Sequence, residues 1–306
     1  MSQVKRKKSK KDTIFIILML AYPIVHMLFF TFYMNISNFT MSLYRYDGDK
    51  AIYVGLYNYI NVYEDIFVDG GNIFASFLNS LSLFPPKFFI ILPLSVLFSY
   101  FLYKKVWGYK TFRVIFFMPS IISMVTLVMA FKGMFADFGP VTMLVKSLGL
   151  ESLIPKGGWY GSRQDAYAML NFFLAWSGIG YQILLIQGSM LRIPSEVIES
   201  GQLDGVGLMR ELVQIVIPLV FSTIATMMLF SVSGIFTTFV QPQLLFGTGV
   251  GDRLTLPLYI VNSTKVGGKN GQASAATLGT LITLIGAPIM IGVRALLNKL
   301  TPDVEY

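Results

Sequence analysis

"IPSEVIESGQLDGVGLMRELVQIVIPL", residues 193–219, interrupts an otherwise apolar chain. Its middle holds four acids, Glu196, Glu199, Asp204 and Glu211, one base, Arg210, and three glycines, Gly201, Gly205 and Gly207. Pro194 suits the start of a helix, where its missing N–H would have had no partner. Ser195 to Leu203 then has room for about two and a half helical turns. Asp204-Gly205 is a turn pair, with the glycine free to take the left-handed conformation that ends a helix. A second helical piece begins near Leu208 and runs into the next apolar run, interrupted by Pro218. The stretch predicts a short helix, a sharp turn and a helix that re-enters the apolar phase. Gly201 falls inside the short helix, where glycine costs about 1 kcal/mol relative to alanine. Close approach by another protein surface would justify that cost; a plain amphipathic loop at an interface would not need it. The residue types alone leave both readings open.

The flanking runs decide the fold class. Of 306 residues, 54% are hydrophobic and 13% charged, where a soluble domain carries roughly 25% charged residues. So much apolar surface cannot be hidden in a core of its own, so lipid is the solvent for much of it. Residues 13–34 form the first run, and a helix of that length reaches about 33 Å, enough for a hydrocarbon core of about 30 Å. Five more runs follow at 80–103, 113–135, 166–190, 213–239 and 273–297. Each is read as helix, because an open strand in lipid leaves backbone N–H and C=O groups without partners. The expectation is an all-α polytopic membrane protein. It has a basic tail at 1–12, a six-span domain at 13–297 with a connecting loop at 193–212, and a short tail at 298–306.

Charge sets the orientation. Lys5, Arg6, Lys7, Lys8, Lys10 and Lys11 crowd the first twelve residues. A basic tail can bind nucleic acid, but an apolar span follows at once, so the cluster is read as holding that end in the cytoplasm. No nucleic-acid partner is expected. Lys104, Lys105, Lys110 and Arg113 crowd the connection between spans two and three, whereas Arg45 and Lys50 are spread over the long one before it. Both termini then lie inside, with Arg294 and Lys299 in agreement. The 193–212 loop lies inside too, and its acids run against the positive-inside trend. Lipid headgroups do not explain an acidic cytoplasmic loop; a protein partner would.

Chemistry of other kinds is missing. There is no cysteine, and no H-E-x-x-H, G-x-S-x-G or P-loop; "GGKNGQ" at 267–272 lacks the Lys-Ser/Thr end that grips phosphate and magnesium. The one histidine, His26, reads as a packed or interhelical hydrogen-bonding residue. Neither a metal site nor an enzyme is expected. Apart from Arg113 and Arg294, at cytoplasmic span ends, the charges within the spans are Lys87, in the outer part of span two, and Lys132, near the outer end of span three. A charge at mid-membrane costs about 2.5–3.5 kcal/mol on insertion scales, so both are expected to snorkel toward the interface. A transporter without an ion relay needs energy from elsewhere.

The opening stretch resembles the "EAA" loop of binding-protein-dependent ABC importer permeases. Glu199, Ser200 and Gly201 fall on its Glu-Ala-Ala, Asp204, Gly205 and Val206 on its Asp-Gly-Ala, and Ile217-Pro218 closes the pattern. Other segments resemble the carbohydrate-uptake (maltose-type) branch of that family: "YPIVHMLFFTFY" its first span, "YVGLYNYI" its first outer loop, "FLNSL" the lead into span two, "TFRVIFFMPSIIS" the entry to span three and "ASAATLGTLITLI" the last span. The resemblance implies a type I ABC importer permease fold in a bacterial inner (plasma) membrane. It implies a second permease, as a heterodimer, an extracellular solute-binding protein and two ATPase subunits that bind ATP and Mg; this chain itself carries no cofactor. Glu199, Ser200, Gly201, Asp204 and Gly205 would couple to the ATPase. "LAWSGIGYQ" is similar to a Trp-x-Gly-x-x-Tyr run of the branch's sugar site, which makes Trp176, Gly178 and Tyr181 substrate-path candidates, with Thr237 and Thr238 from span five. Leu174 stands where that branch has an Asn. The implied cargo is a carbohydrate, an oligosaccharide. Alternatives are another polar solute such as glycerol phosphate, or a stand-alone carrier driven by an ion gradient.

Overall fold

A computed structural model describes residues 10–68, 71–247 and 253–301. In chain order the elements are α1 (Ile14–Ser42), the hairpin strands β1 (Tyr44–Asp47) and β2 (Lys50–Tyr53), α2 (Tyr57–Phe67), α3 (Asn72–Tyr103), α4 (Tyr109–Ile121), α5 (Met124–Met134), α6 (Pro140–Ser147), α7 (Arg163–Met190), α8 (Ser195–Leu203), α9 (Leu208–Leu219), α10 (Phe221–Thr237), α11 (Val240–Phe246), α12 (Leu256–Val266) and α13 (Gly268–Leu300). Helical backbone already begins at Lys10, inside the segment expected as a tail. Residues 1–9 and 302–306, most of the two expected tails, lie outside the described residues.

Among the described residues α1, α3, α7 and α13 are each long and apolar enough to cross a membrane. The pairs α4–α5 and α9–α10 qualify only when joined, and they bend by 106° and 78°. The second bend falls at Val220, two residues after Pro218, as the sequence predicts. The first falls at Ile122–Ser123, where the backbone turns extended; no glycine or proline marks those two positions. Two π-turns, Lys87–Ile91 and Leu212–Val216, lie just ahead of Pro93 and Pro218. Proline has no N–H and crowds the carbonyl one turn back, and a widened turn accommodates both faults.

The chain divides into two compact units, one of residues 1–62 with 263–281, the other of 63–262 with 282–306. In the first, the most apolar stretch of α1 is wholly unburied. Among the described residues, the rings beside His26 are those of Tyr22 and Phe30 on its own helix, 6.0 and 4.4 Å away. The long polar connection holds a hairpin whose Asp47–Lys50 pair closes a two-residue turn. Gly48 at φ 57° supplies the left-handed conformation such turns demand. Asn270 clamps it: Tyr46 N–H donates to its Oδ1 at 2.6 Å and its Nδ2 donates to the Tyr46 carbonyl. Lys269 adds an ion pair to Asp49 at 2.7 Å, and that hydrogen bond holds the Asp49 carboxyl below its usual range. The "GGKNGQ" run is thus a structural clasp.

In the second unit, contacts fix the direction of the helices. Arg163 Nε donates to Asn79 Oδ1, Ser95 Oγ to Gln182 Oε1 and Ser99 Oγ to the Ile183 carbonyl. Both sequences rise together, so α3 and α7 run parallel. The bent pair α4–α5 brings the chain back between them: Phe116 meets Phe98 near one end of α3, and Phe131 meets Phe173 nearer the other. Gly180 lets α4 touch α7, since a Cβ there would run into the Phe116 carbonyl oxygen. The helix α3 begins well before the expected span at residue 80, and two of the polar residues near its head, Asn79 and Ser80, are bonded inside. Asn79 donates to the Leu254 carbonyl at 2.9 Å, and Ser80 accepts the Leu256 N–H at 2.8 Å.

Candidate coupling segment and substrate path

The segment that opens the sequence reading is a short, sharply terminated helix. Gly205 stands at φ 74°. Its N–H bonds the Gln202 carbonyl at 3.0 Å and the Val206 N–H bonds the Gly201 carbonyl at 3.0 Å. This pair of bonds is the Schellman arrangement, which satisfies the last carbonyls of a helix. Ile198 joins an apolar cluster with Leu92, Tyr100, Ile186, Leu212 and Val216. Gly201 is also buried, and a Cβ on it would stand 2.7 Å from Ile215 Cδ1. The close neighbour at Gly201 is therefore the chain's own α9, through the end of the Ile215 side chain. Glu199, Ser200, Leu203 and Asp204 face away from the body, with Leu203 90% exposed. Ser200 Oγ is occupied by the Val197 carbonyl. Glu199 and Asp204 make no side-chain hydrogen bond or ion pair among the described residues.

The anchor of this segment is Glu211, 1% exposed. Its Oε1 lies 2.5 Å from Lys104 Nζ and 3.1 Å from the Tyr100 hydroxyl, which also lies 3.1 Å from the Leu208 carbonyl. A carboxylate buried alone would be costly; here an ammonium and a phenol compensate it. The sequence counts Glu211 only as one acid of four. What could have marked it is its place against Leu212 at the head of an apolar run, with Lys104 an unmatched base at the end of another. The contacts place the start of α9 beside the end of α3, so the basic 104–113 connection and the 193–212 segment share one end of the bundle.

The path candidates do not form one cluster. Trp176 stacks on Phe131 at 6.0 Å and meets Phe173 edge-on. Gly178 has open space where a Cβ would go, and Tyr181 is half exposed. Thr237 is exposed and turns its hydroxyl to the Ser233 carbonyl. Thr238 is buried; Thr255 Oγ1 donates to its carbonyl at 2.9 Å, and Lys87 Nζ donates to its hydroxyl at 3.3 Å. Among the described residues, no hydrogen bond or ring contact joins Trp176 or Tyr181 to Thr237 or Thr238. Lys132, exposed in the last turn of α5, suits a snorkelling residue. Lys87 does not: it stands midway along α3, half-buried, and points inward at α10. The sequence placed it near the outer end because α3 starts earlier than its apolar run. A cavity of about 360 Å³ opens elsewhere, between α10 and α13, lined by Ser222, Thr226, Arg294 and Asn298 among others; no candidate lines it.

Over residues 13–305 the sequence matches the family described as the binding-protein-dependent transport system inner membrane component. The chain belongs to that family. The permease is 27% identical over 270 residues to the probable ABC transporter permease protein YurN of Bacillus subtilis (strain 168), covering 86% of this chain and 90% of that protein. It is 30% identical over 202 residues to the maltose/maltodextrin transport system permease protein MalF of Escherichia coli (strain K12). That match takes in 61% of this chain but only 38% of MalF. The fold superposes with TM-score 0.80 and 17% identity on a bacterial ABC transporter involved in the import of the acidic polysaccharide alginate, over 95% of this chain and 98% of that one. A bacterial alginate ABC transporter in complex with an alginate pentasaccharide-bound periplasmic protein gives 0.75 at 18% identity, over 94% of each chain. The permease is thus an inner-membrane ABC transporter subunit with the mostly helical fold of ABC importer permeases.

Proposed function

We propose that the permease forms half of the membrane pathway of an ATP-driven importer, with a carbohydrate, an oligosaccharide, as cargo. The chain crosses six times with both ends in the cytoplasm, which puts residues 195–206 on the cytoplasmic face. A second permease completes the pathway, two ATPase subunits supply the energy, and an external binding protein delivers the cargo. Maltodextrin and alginate are the cargoes named for two of the similar proteins, and both are chains of sugars.

The observation that carries this reading is the build of the 195–206 knob. Its inner face is fastened to the body by Ile198, Gly201 and, just beyond, Glu211; its outer face offers Leu203, Glu199 and Asp204 with no cover from the described residues. A gate moved from 1:99 to 99:1 needs about 5.5 kcal/mol of differential binding. A knob that flexed against its own body would dissipate that work. Docking there gives Glu199 and Asp204 a polar role toward the ATPase, while Gly205 ends the helix sharply enough to present Leu203.

Reconstitution of the complete transporter in proteoliposomes tests the reading. Uptake should require ATP, and loaded binding protein should stimulate hydrolysis. Glu199→Lys should leave hydrolysis running while uptake falls. Uptake driven by an ion gradient without ATP would instead establish a stand-alone carrier.

A further inference from the structure

Among the described residues, Lys87 is the candidate-span charge that the structure turns inward beside a predicted path residue, Thr238. It opens the π-turn Lys87–Ile91, directly after Pro85-Pro86, where the helix ladder is already disturbed. Its ammonium reaches the carbonyl end of α10, 3.3 Å from the Thr238 hydroxyl. A Cβ on Gly234 would lie 2.8 Å from Nζ, so glycine leaves room for the lysine to pass. An ammonium has three donors; Thr238 takes one, and no acid lies within ion-pair distance among the described residues. The negative end of the α10 dipole helps to hold the cation but is no counter-ion.

Half-buried charges at membrane depth face a bundle interior or a watery path, pair with something there, and mark the route of an ion or substrate. A neutral sugar hydroxyl would be served as well by Ser or Gln, without the cost of a charge. We propose that Lys87 is a counter-charge on the translocation path and that the cargo is anionic, bearing a carboxylate or a phosphate. This rests on the importer reading and narrows its cargo. In transit the anionic oxygens take the two remaining donors of Lys87, while Thr238 fixes the direction of the ammonium.

The test uses the complete transporter in proteoliposomes, with its own binding protein and ATPases. Four probes are offered: a pool of short uronate oligosaccharides, the same pool after its carboxyl groups are reduced to alcohols, sn-glycerol 3-phosphate, and maltotriose. One of the two anions should be carried about tenfold or more better than either neutral probe, and which one identifies the source of the charge. Lys87→Met should lower uptake of that anion by about tenfold or more, while Lys87→Arg, which keeps the charge, should retain most of it. Uptake of a neutral probe as well as or better than both anions overturns the proposal and leaves the importer reading standing. So does unchanged anion uptake by Lys87→Met. Should Lys87→Met fail to assemble with the ATPase, the wild-type preference among the probes decides alone. Wild-type protein that carries none of the four and shows no stimulation of hydrolysis by binding protein with any of them would overturn both.

Discussion

Lys104 and Glu211 meet at 2.5 Å, joining the end of α3 to the start of α9 across more than a hundred residues of chain. The pair is unequal: the Lys104 side chain keeps 17% of its exposure and that of Glu211 only 2%. Removing the lysine strands a buried carboxylate, a loss of about 3–5 kcal/mol. Removing the carboxylate's charge leaves an ammonium that can turn to water and a glutamine that still bonds Tyr100, a loss of about 1–3 kcal/mol. Denaturant or thermal unfolding of the purified permease should therefore rank Lys104→Met as more damaging than Glu211→Gln. The reverse order would contradict the anchoring role.

Gly201 separates two reasons for a small residue. Gly201→Leu should overpack the contact with Ile215 and destabilise by about 1–3 kcal/mol. Adding Ile215→Ala should recover part of that loss, and part of the uptake. If the limit were set only by a docked ATPase, the second substitution would recover nothing, and thermal unfolding of the permease without the ATPase would not register the first.

Gly205 adopts φ 74°, a conformation that costs a residue bearing a Cβ about 1–2 kcal/mol. Gly205→Ala should fray the end of α8, and the ratio of ATP hydrolysed to cargo carried should rise. Gly205→Asn should do less harm, because Asn tolerates this conformation. Equal ratios for all three proteins would argue against a stiff knob.

Gly178 and Gly180 offer a contrast two residues apart on α7. A Cβ meets nothing at Gly178 and a backbone carbonyl oxygen at Gly180. Gly180→Ala should separate α4 from α7 and cost about 1–3 kcal/mol. Gly178→Ala should be neutral or gain up to about 1 kcal/mol of helix propensity. Any fall in uptake by Gly178→Ala at unchanged stability then reads directly on the path.

Much of the fold is legible in residue order alone. Hydropathy marks the long apolar helices, Pro218 marks the break ahead of α10, and Asp204-Gly205 marks the end of α8, because each acts on its immediate neighbours. The hairpin carried a local signal too, Asp47-Gly48 between two tyrosine-bearing strands, but it sits in a stretch read only as a polar loop. The early start of α3 was hidden because Ser76, Asn79 and Ser80 read as polar surface, while the fold buries them, with Asn79 and Ser80 bonded to the chain after residue 253. Glu211 and Lys87 were hidden for the same reason: their partners, Lys104 and Thr238, are distant in sequence and near only after the helices pack.

The chain has no cysteine, so Leu203→Cys would introduce a single thiol at the most exposed apolar tip of α8. In intact cells that thiol should resist a membrane-impermeant maleimide, react once the cytoplasmic face is opened, and cross-link to an ATPase subunit in a manner that ATP changes. Labelling from outside intact cells, or no cross-link to any nucleotide-hydrolysing subunit in the assembled complex, would contradict the coupling role of residues 195–206.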